Sequence, residues 1–275
     1  MNEFAAIQMA SGPNVNSNLI EAGRLIAEAV SGGARLIVLP ENFAFLGQKE
    51  EDMLGIAEEE DNGPLQSFLA EQAARHKAWI VGGTVPLKAD EEGKVRQVCM
   101  VYNDDGERVA RYDKIHLFDV HIESTDEYYN ESETISPGDQ ICVIDSPFGR
   151  LGIAICYDLR FPELFRHMLD VGVDIIAMPS AFTSITGRAH WEPLVRARAI
   201  ENLCYVIAAD QGGYHVNGRE TYGHSMVVDP WGQILDELPS GSGVVLASFD
   251  REYLESVRRN FPVIEHRRMP CKLPS

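Results

Sequence analysis

The chain has 275 residues, of which 45% are apolar and 24% charged, and this composition excludes disordered and fibrous proteins. Its 24 Lys and Arg against 42 Asp and Glu give a formal net charge of −18, which excludes nucleic acid and anionic membrane surfaces as partners. The apolar runs are too short for a membrane span or a signal peptide, and the 5 cysteines lack paired spacing. We therefore expect a reduced, cytoplasmic protein.

The first half of the chain alternates short apolar runs with helical patterns. The acidic stretch 48–62 is expected to form a loop or a surface helix, and the aperiodic stretch 119–140 a long surface loop. Helices are predicted over 16–31 and 64–77. Strands are predicted over 4–9, 36–39, 79–87, 95–103 and 108–115, the last two forming a hairpin.

The second half repeats this alternation, and residues 33–40 weakly echo residues 173–179, which hints at two similar halves. No linker or shift in composition divides the chain, so a single α/β domain over residues 1–275 is expected. Helices are predicted over 162–171, 193–202 and 253–260. Strands are predicted over 151–156, 174–178, 205–209, 221–230, 233–236 and 244–249.

Three predicted strands end in reactive side chains, and functional residues in open α/β sheets collect just beyond the carboxyl ends of strands. These residues are Glu41, Lys114 and Cys156. Glu41 follows a buried strand directly, where burial would raise the pKa of an unpaired carboxyl group, although a loop glutamate or a helix cap is the alternative. For Lys114 position alone favours an edge-strand lysine that keeps the sheet soluble.

Cys156 lies where a predicted strand meets a sharp polar turn, with a helix beginning at Pro162. Such a turn lifts a nucleophile out of the sheet, and the backbone N–H of Tyr157 could then hold an oxyanion. The alternatives are a cysteine that only packs in the core and a Cys–His enzyme that pairs Cys156 with His190 or His224. The sequence has no metal-ligand spacing and no dinucleotide or phosphate-loop motif, so we expect no metal and no cofactor.

Taken together, these segments resemble the nitrilase superfamily of carbon–nitrogen hydrolases. The matching motifs are Pro40-Glu41, the K-x-H-L-F segment that begins at Lys114, and the C-Y-D-x-R-F-P-E segment that begins at Cys156. All three stand in the family's order. The resemblance implies a catalytic set of Glu41, Lys114 and Cys156, with the Tyr157 N–H as an oxyanion donor, and a four-layer α-β-β-α sandwich within the α/β class.

The resemblance also implies further site residues. Glu131, in the loop after Lys114, matches a second carboxylate that would orient the lysine; otherwise it is one more acid in an acidic loop. Arg160 suits bidentate binding of a substrate carboxylate, with a salt bridge inside the turn as the alternative. The other residues assigned to substrate binding are Thr186, Phe43 and Phe182.

Segments 179–187, 190–192, 196–199 and 222–232 resemble the Nit branch of this superfamily, whose members hydrolyse deaminated glutathione or α-ketoglutaramate. We therefore expect an amidase that converts a linear carboxamide, foremost deaminated glutathione, to a carboxylate and ammonia through a cysteine thioester. Arg188 replaces a proline of the family and is expected beside the pocket, where it bears on the substrate.

Other functions stay open. Within the enzyme class the alternatives are an ω-amidase acting on α-ketoglutaramate, a nitrilase and an N-carbamoyl amino acid hydrolase. Outside it, the alternative is a binding protein of the same fold. The resemblance implies a small anionic amide as the ligand and a homodimer or larger homo-oligomer as the assembly.

Overall fold

Two β-sheets form the centre of the fold in the computed structural model, which describes residues 2–123 and 126–269. The strands, numbered in chain order, are β1 (Asn2–Gln8), β2 (Ala34–Val38), β3 (Trp79–Val81), β4 (Val85–Lys88), β5 (Val95–Tyr102), β6 (Arg108–Asp113), β7 (Asp119–Ile122), β8 (Glu127–Asn130), β9 (Cys142–Ser146), β10 (Gly149–Ile153), β11 (Ile175–Ser180), β12 (Tyr205–Asp210), β13 (Gly212–Tyr214), β14 (Glu220–Tyr222), β15 (Ser225–Val228), β16 (Ile234–Leu238) and β17 (Gly243–Phe249). The helices are α1 (Val15–Ser31), α2 (Pro64–His76), α3 (Pro162–Asp170), α4 (Ser184–Asn202) and α5 (Arg251–Asn260).

Each half of the chain builds most of one sheet. The first sheet has the order β17-β1-β2-β3-β5-β4, with β6 paired to the free side of β5, and the second has the order β16-β15-β12-β11-β10-β9. In the first, β1, β2 and β3 run parallel; in the second, β10, β11 and β12 do. Since β3–β5 and β5–β6 are antiparallel pairs, β6 points the same way as β2, and both end at one edge of the sheet.

The sheets pack face to face, and helices cover their outer faces. In β1, Phe4 and Ala6 face the second sheet, whereas Ala5 and Ile7 face the helices, as the twofold alternation of a strand requires. Helices α1 and α2 cover the first sheet, and α3 and α4 cover the second. The predicted four-layer α-β-β-α sandwich is therefore confirmed.

Helix α4 is longer than the sequence pattern predicts, because Pro193 lies inside it rather than in its first turn. The helix begins at Ser184, and the Thr183 side chain accepts a hydrogen bond from the Thr186 N–H at 3.4 Å. Proline removes one backbone donor from a helix, and this helix continues through that loss. The extra turns place Thr186 at the helix end that faces the site.

The stretch 119–140 is not a plain surface loop. It contains the antiparallel hairpin of β7 and β8, followed by a short 3-10 turn over Glu131–Glu133. Each of these strands has only four residues, and in an acidic segment an alternation of polar and apolar residues that short does not predict a strand. Residues 124 and 125 of this stretch lie outside the described residues. The predicted strand 79–87 is likewise two strands, β3 and β4, separated by two glycines, and β9 was not predicted.

Candidate active site

Glu41 stands just beyond β2 and is 2% exposed. Its position depends on Gly83, which has a φ of 58° and approaches so closely that a Cβ there would lie 2.3 Å from the Pro40 carbonyl oxygen. Only glycine allows this approach without displacing the backbone. The next residue, Asn42, donates its N–H to Thr84 Oγ1 at 2.9 Å. Both contacts hold the glutamate at the carboxyl edge of the first sheet.

Lys114 follows β6 at the same edge and is 1% exposed, so it is not a lysine that solubilises the sheet. Its N–H donates to the Gln97 carbonyl at 2.9 Å, and its carbonyl accepts from the Gly138 N–H at 2.8 Å. The side chain donates to Glu41 Oε1 at 2.7 Å and to Glu131 Oε1 at 2.8 Å. A buried ammonium is thus held between two carboxylates.

Glu131 lies at the start of the turn after β8, and its side chain is 17% exposed. Besides accepting from Lys114, it accepts a hydrogen bond from the Phe118 N–H at 2.7 Å. Two donors from the segment that precedes β7 therefore fix the carboxylate that follows β8, at the open end of the β7–β8 hairpin. Glu131, which the family resemblance assigned as the second carboxylate, therefore contacts Lys114 directly.

Cys156 opens a 3-10 turn just beyond β10 in the second sheet. Its φ of 46° lies in the left-handed region, which costs a residue with a Cβ about 1–2 kcal/mol. The cysteine is 8% exposed, and a hydrogen bond from the Ala181 N–H reaches its sulfur. The strained turn aims the sulfur toward the edge where Glu41 and Lys114 lie, since all three line or contact one pocket.

Asp158 is a residue that the sequence reading overlooked, although it lies within the cysteine motif. Fully buried, it accepts hydrogen bonds from the Ile155 N–H at 2.8 Å and the Tyr112 hydroxyl at 2.7 Å. It also accepts from the His116 N–H at 3.1 Å. These contacts tie the cysteine turn of the second sheet to the lysine segment of the first. Asp158 therefore fixes the position of the Cys156 turn relative to the Lys114 segment.

The pKa values of the buried groups set their charge states. Burial opposes the charged form of Lys114, but the carboxylates of Glu131 and Glu41 outweigh it and raise the pKa of Lys114 well above its usual value. Burial and the Glu41 carboxylate raise the pKa of the Cys156 thiol, while Lys114 lowers it by a smaller amount. At neutral pH the lysine is thus a cation and the cysteine a thiol, which needs a proton acceptor in order to attack.

A narrow pocket surrounds the sulfur, and four of the residues predicted to contact substrate line it: Tyr157, Arg160, Phe182 and Thr186. The Arg160 guanidinium lies 5.2 Å from the centre of the Phe182 ring and 5.8 Å from that of Tyr157. Its Nη1 donates to His190 Nδ1 at 3.1 Å. The aromatic faces orient the cation without neutralising it, so its charge stays available.

Phe43 does not belong to this pocket, contrary to the prediction. It is fully buried on the other face of the first sheet and stacks on Phe68 of α2, with ring centres 6.3 Å apart. Residues 41–44 form a turn after β2, and this turn directs the Phe43 side chain to the helix-covered face of the sheet, away from the cysteine. Arg188 is also outside the pocket: it is exposed and donates to Ser184 Oγ at 3.4 Å on its own helix.

The alternative pairing of Cys156 with a histidine is not supported by the geometry. His190 contacts Arg160, and His224 is hydrogen-bonded to Glu237 and stacked on Tyr222. Neither lines the pocket among the residues that the structure describes. The acid–base partners available to the sulfur are carboxylates.

A wider cavity of about 480 Å³, here called the outer cleft, adjoins the pocket. Asn42, Glu131 and Arg219 line both spaces. Glu50 also lines the outer cleft, and burial together with the Glu131 carboxylate raises the pKa of its carboxyl group. Sequence reading missed Arg219 and Glu50, since both lie in segments that look like ordinary polar surface and neither stands in a recognisable motif.

Within residues 2–123 and 126–269, no group of three or more His, Cys, Asp and Glu is arranged to hold a metal ion. In the same ranges, no helix is long and apolar enough to cross a bilayer.

Comparison with known proteins gives the family. Residues 4–259 match the carbon–nitrogen hydrolase family. The chain is 43% identical over 269 residues to a deaminated glutathione amidase of Synechocystis, covering 96% of this chain and 97% of the relative. It is 40% identical over 270 residues to a deaminated glutathione amidase of Yersinia enterocolitica, with coverages of 98% and 94%. Among solved structures, Saccharomyces cerevisiae Nit3, of branch 10 of the nitrilase superfamily, matches with a TM-score of 0.87 at 32% identity, covering 98% of this chain and 97% of its own. This chain belongs to the carbon–nitrogen hydrolase family and is a hydrolase of carbon–nitrogen bonds other than peptide bonds.

Proposed function

We propose that this enzyme hydrolyses the linear amide of deaminated glutathione through a thioester on Cys156. The observation that carries the proposal is the buried Lys114 held by Glu41 and Glu131 at 2.7 and 2.8 Å, beside the pocket that contains the cysteine. Two relatives that match nearly their full length bear the name of this activity.

The first step is attack by sulfur on the amide carbonyl carbon. Because Cys156 rests as a thiol, its proton passes to the Glu41 carboxylate as the carbon–sulfur bond forms. The carbonyl π electrons move onto oxygen, and the resulting oxyanion is received by the Lys114 ammonium and the Tyr157 N–H. Loss of one such donor typically costs about 10²–10³ in rate.

The second step breaks the carbon–nitrogen bond. Glu41 returns the proton to the nitrogen, and the oxyanion collapses to a thioester as the amine leaves. In deaminated glutathione this nitrogen belongs to cysteinylglycine, so the amine released is a dipeptide, and the expectation of ammonia is wrong for this substrate. A primary amide such as α-ketoglutaramate releases ammonia. The nature of the amine therefore distinguishes these two substrates.

Hydrolysis of the thioester reverses these roles. Glu41 takes a proton from water as its oxygen attacks the acyl carbon, and the same proton then restores the thiol when sulfur leaves. Glu131 takes no proton in this sequence. It holds Lys114 in place through the contact at 2.8 Å, so we assign it a positioning role.

Arg160 binds the α-keto acid end of the substrate. The guanidinium lines the pocket between two aromatic rings, and its geometry matches a carboxylate with two parallel hydrogen bonds. The Thr186 hydroxyl lines the same pocket and supplies a further polar contact. A small anionic amide is thus accommodated by a local cation despite the net charge of −18.

The test is a panel of amides assayed for both the released amine and the released acid: deaminated glutathione, α-ketoglutaramate, an N-carbamoyl amino acid and an aliphatic nitrile. We expect deaminated glutathione to be the best substrate. Cys156→Ala and Glu41→Gln should abolish turnover while thermal unfolding shows a folded protein. Turnover retained by either variant would contradict the mechanism. A higher kcat/KM with another member of the panel would show that this other amide, and not deaminated glutathione, is the substrate.

The second candidate is an ω-amidase acting on α-ketoglutaramate, because that amide has the same acyl end for Arg160. A binding protein of the same fold is disfavoured by the buried set of Glu41, Lys114 and Cys156. If mass spectrometry finds no acyl adduct on Cys156 with any amide of the panel, the binding function is favoured instead.

We also propose a reducing, cytoplasmic setting and a homo-oligomer. The thiolate chemistry requires a reduced Cys156, and the cysteines in the described part of the chain are all unpaired. Val171 after α3 and Ile200 on α4 are 43% and 44% exposed, and a second copy of the chain packed on this side would cover them. Light scattering on the purified protein tests the assembly, with a monomer as the contradicting result.

A further inference from the structure

The pocket around Cys156 is too small for the whole of an elongated amide. Its free volume is about 20 Å³, against about 480 Å³ for the outer cleft. Since a single water already needs roughly 10–15 Å³ of such volume, the pocket has no room for a dipeptide leaving group in addition to the acyl half. The larger part of a tripeptide-sized substrate must lie elsewhere, and the outer cleft is continuous with the pocket through Asn42, Glu131 and Arg219.

The positions of Glu41 and Arg160 indicate which half of the substrate enters the outer cleft. Glu41, which protonates the departing nitrogen, lines the pocket together with Asn42 and Glu131, and the last two also line the outer cleft. Arg160, which receives the acyl end, lines the pocket but not the cleft. The departing amine therefore faces the outer cleft, while the acyl group stays on the side of Arg160.

The outer cleft carries polar groups suited to a peptide. The Arg219 guanidinium lies 5.0 Å from the centre of the Tyr129 ring and donates to the Ala181 carbonyl. Its Nε is buried and has no hydrogen-bond partner within the described residues. The Arg219 side chain nevertheless lines the outer cleft and donates to a backbone carbonyl rather than to a carboxylate, so its positive charge is available to an anionic ligand. Glu50 lines the same cleft and offers a carboxyl group to the N–H donors of a ligand.

Part of the cleft wall is apolar and aromatic, where Phe45, Met53 and Tyr128 line it. The other lining side chains are polar or charged and include Gln48, Lys49, Gln97, Glu127 and Asn217. Tyr128 is 71% exposed and stands on β8, at the outer side of the cleft. Aromatic and thioether side chains make favourable contacts with a sulfur-bearing side chain. The combination of a cation, an acceptor and this wall matches a short peptide that ends in a carboxylate.

We propose that the outer cleft is the subsite for the leaving group and takes a peptide-like amine with a terminal carboxylate, which Arg219 binds. The inference rests on the proposed function and adds to it a determinant of specificity. It means that the enzyme separates deaminated glutathione from α-ketoglutaramate, which have the same acyl half, through residues of the outer cleft that bind the half that leaves.

The experiment compares kcat/KM for these two amides in the wild-type enzyme and in Arg219→Gln and Tyr128→Ala. We expect the ratio of deaminated glutathione to α-ketoglutaramate to fall at least about tenfold in Arg219→Gln, because hydrogen bonds to charged groups are worth about 1.5–3 kcal/mol. A smaller fall is expected in Tyr128→Ala. The matched controls are Arg259→Gln on α5 and Tyr214→Ala on β13, which is 80% exposed and away from the cleft. An unchanged ratio in both cleft variants, or an equal fall in the controls, overturns the proposal.

A binding measurement separates failure of the subsite from failure of the proposed function. Cysteinylglycine is titrated into Cys156→Ala by calorimetry, and into the same protein with Arg219→Gln added. Saturable binding that the second substitution weakens at least about tenfold supports the subsite even if the wild-type enzyme hydrolyses neither amide. No binding to Cys156→Ala overturns it, even if deaminated glutathione is hydrolysed.

Discussion

Glu131 accepts two hydrogen bonds through its carboxylate, so Glu131→Gln tests whether this residue positions Lys114. The carboxylate accepts from Lys114 Nζ at 2.8 Å and from the Phe118 N–H at 2.7 Å. Glutamine is nearly isosteric but has one oxygen and one NH₂ group, so one of the two donors must then face another donor. The substitution also removes one of the two negative charges that hold Lys114 as a cation.

The magnitude follows from the lost hydrogen bond. A hydrogen bond to a charged group in a largely buried position is worth about 1.5–3 kcal/mol. If this energy holds Lys114 at the oxyanion, kcat should fall roughly 10- to 150-fold, since each 1.36 kcal/mol is a factor of ten. KM should change little, because Glu131 does not bind the acyl end. The assay is steady-state hydrolysis, with rapid acid quench and mass spectrometry to measure the acyl adduct on Cys156.

The matched control is Glu133→Gln, the same change two residues later in the same 3-10 turn. Glu133 is exposed and accepts only a long contact of 3.3 Å from Asn130 among its described partners. We expect its kcat to stay within about twofold of wild type, as surface substitutions are usually nearly neutral. Wild-type kcat in Glu131→Gln, or an equal loss in Glu133→Gln, would refute the positioning role.

Two further predictions concern the sulfur and the helix that borders it. The Glu41 carboxylate raises the pKa of Cys156, so Glu41→Gln should move the midpoint of iodoacetamide alkylation at Cys156 to lower pH, measured by mass spectrometry of the adduct. A midpoint that is unchanged or higher would show that this charge does not act on the thiol. Gly187→Ala would place a Cβ 2.3 Å from the Tyr222 side chain and should lower the free energy of unfolding by about 1–3 kcal/mol. Gly55→Ala, whose Cβ would meet nothing within 4 Å, is the control for both denaturant midpoint and activity.

Two of the three strands that lead to the proposed catalytic residues could be predicted from the sequence because they end in buried apolar runs. β2 ends in residues 36–38 and β10 in residues 151–153, all of them buried, and a reactive side chain follows each run. The weak echo between residues 33–40 and 173–179 also corresponds to equivalent central strands, β2 and β11, in the two sheets. Boundaries shifted by a few residues, since helix and strand ends depend on capping and pairing.

The role of Lys114 could not be predicted from its position. An edge strand and a lysine ordinarily mean solubility, and only the distant Glu41 and Glu131 make burial of this cation favourable. Those partners are separated from it by 73 and 17 residues. Only the family resemblance indicated this role, because it implies that Glu41, Lys114 and Glu131 come together although they are far apart in the sequence.

Arg219, Glu50 and Asp158 were missed for different reasons. The first two lie in polar segments whose surroundings are decided by packing of loops from both sheets. Asp158 lies in the quoted motif, but nothing local shows that its carboxylate reaches Tyr112 and His116. Phe43 was assigned to the pocket wrongly for the converse reason, because proximity in sequence to Glu41 does not fix the face to which a side chain points.

The division of the site between the two sheets makes its activity a measure of how they are docked. Glu41 and Lys114 end strands of one sheet and Cys156 ends a strand of the other, with Gln211 beyond β12 donating to the Glu41 carbonyl at 2.9 Å across the seam. Neither half of the chain contains a nucleophile together with its base. A loosened interface that kept every strand and helix intact would therefore give a protein with native secondary structure and no turnover. For this fold, a turnover assay would therefore detect a loosened interface between the sheets that far-ultraviolet circular dichroism, which measures secondary structure, would not.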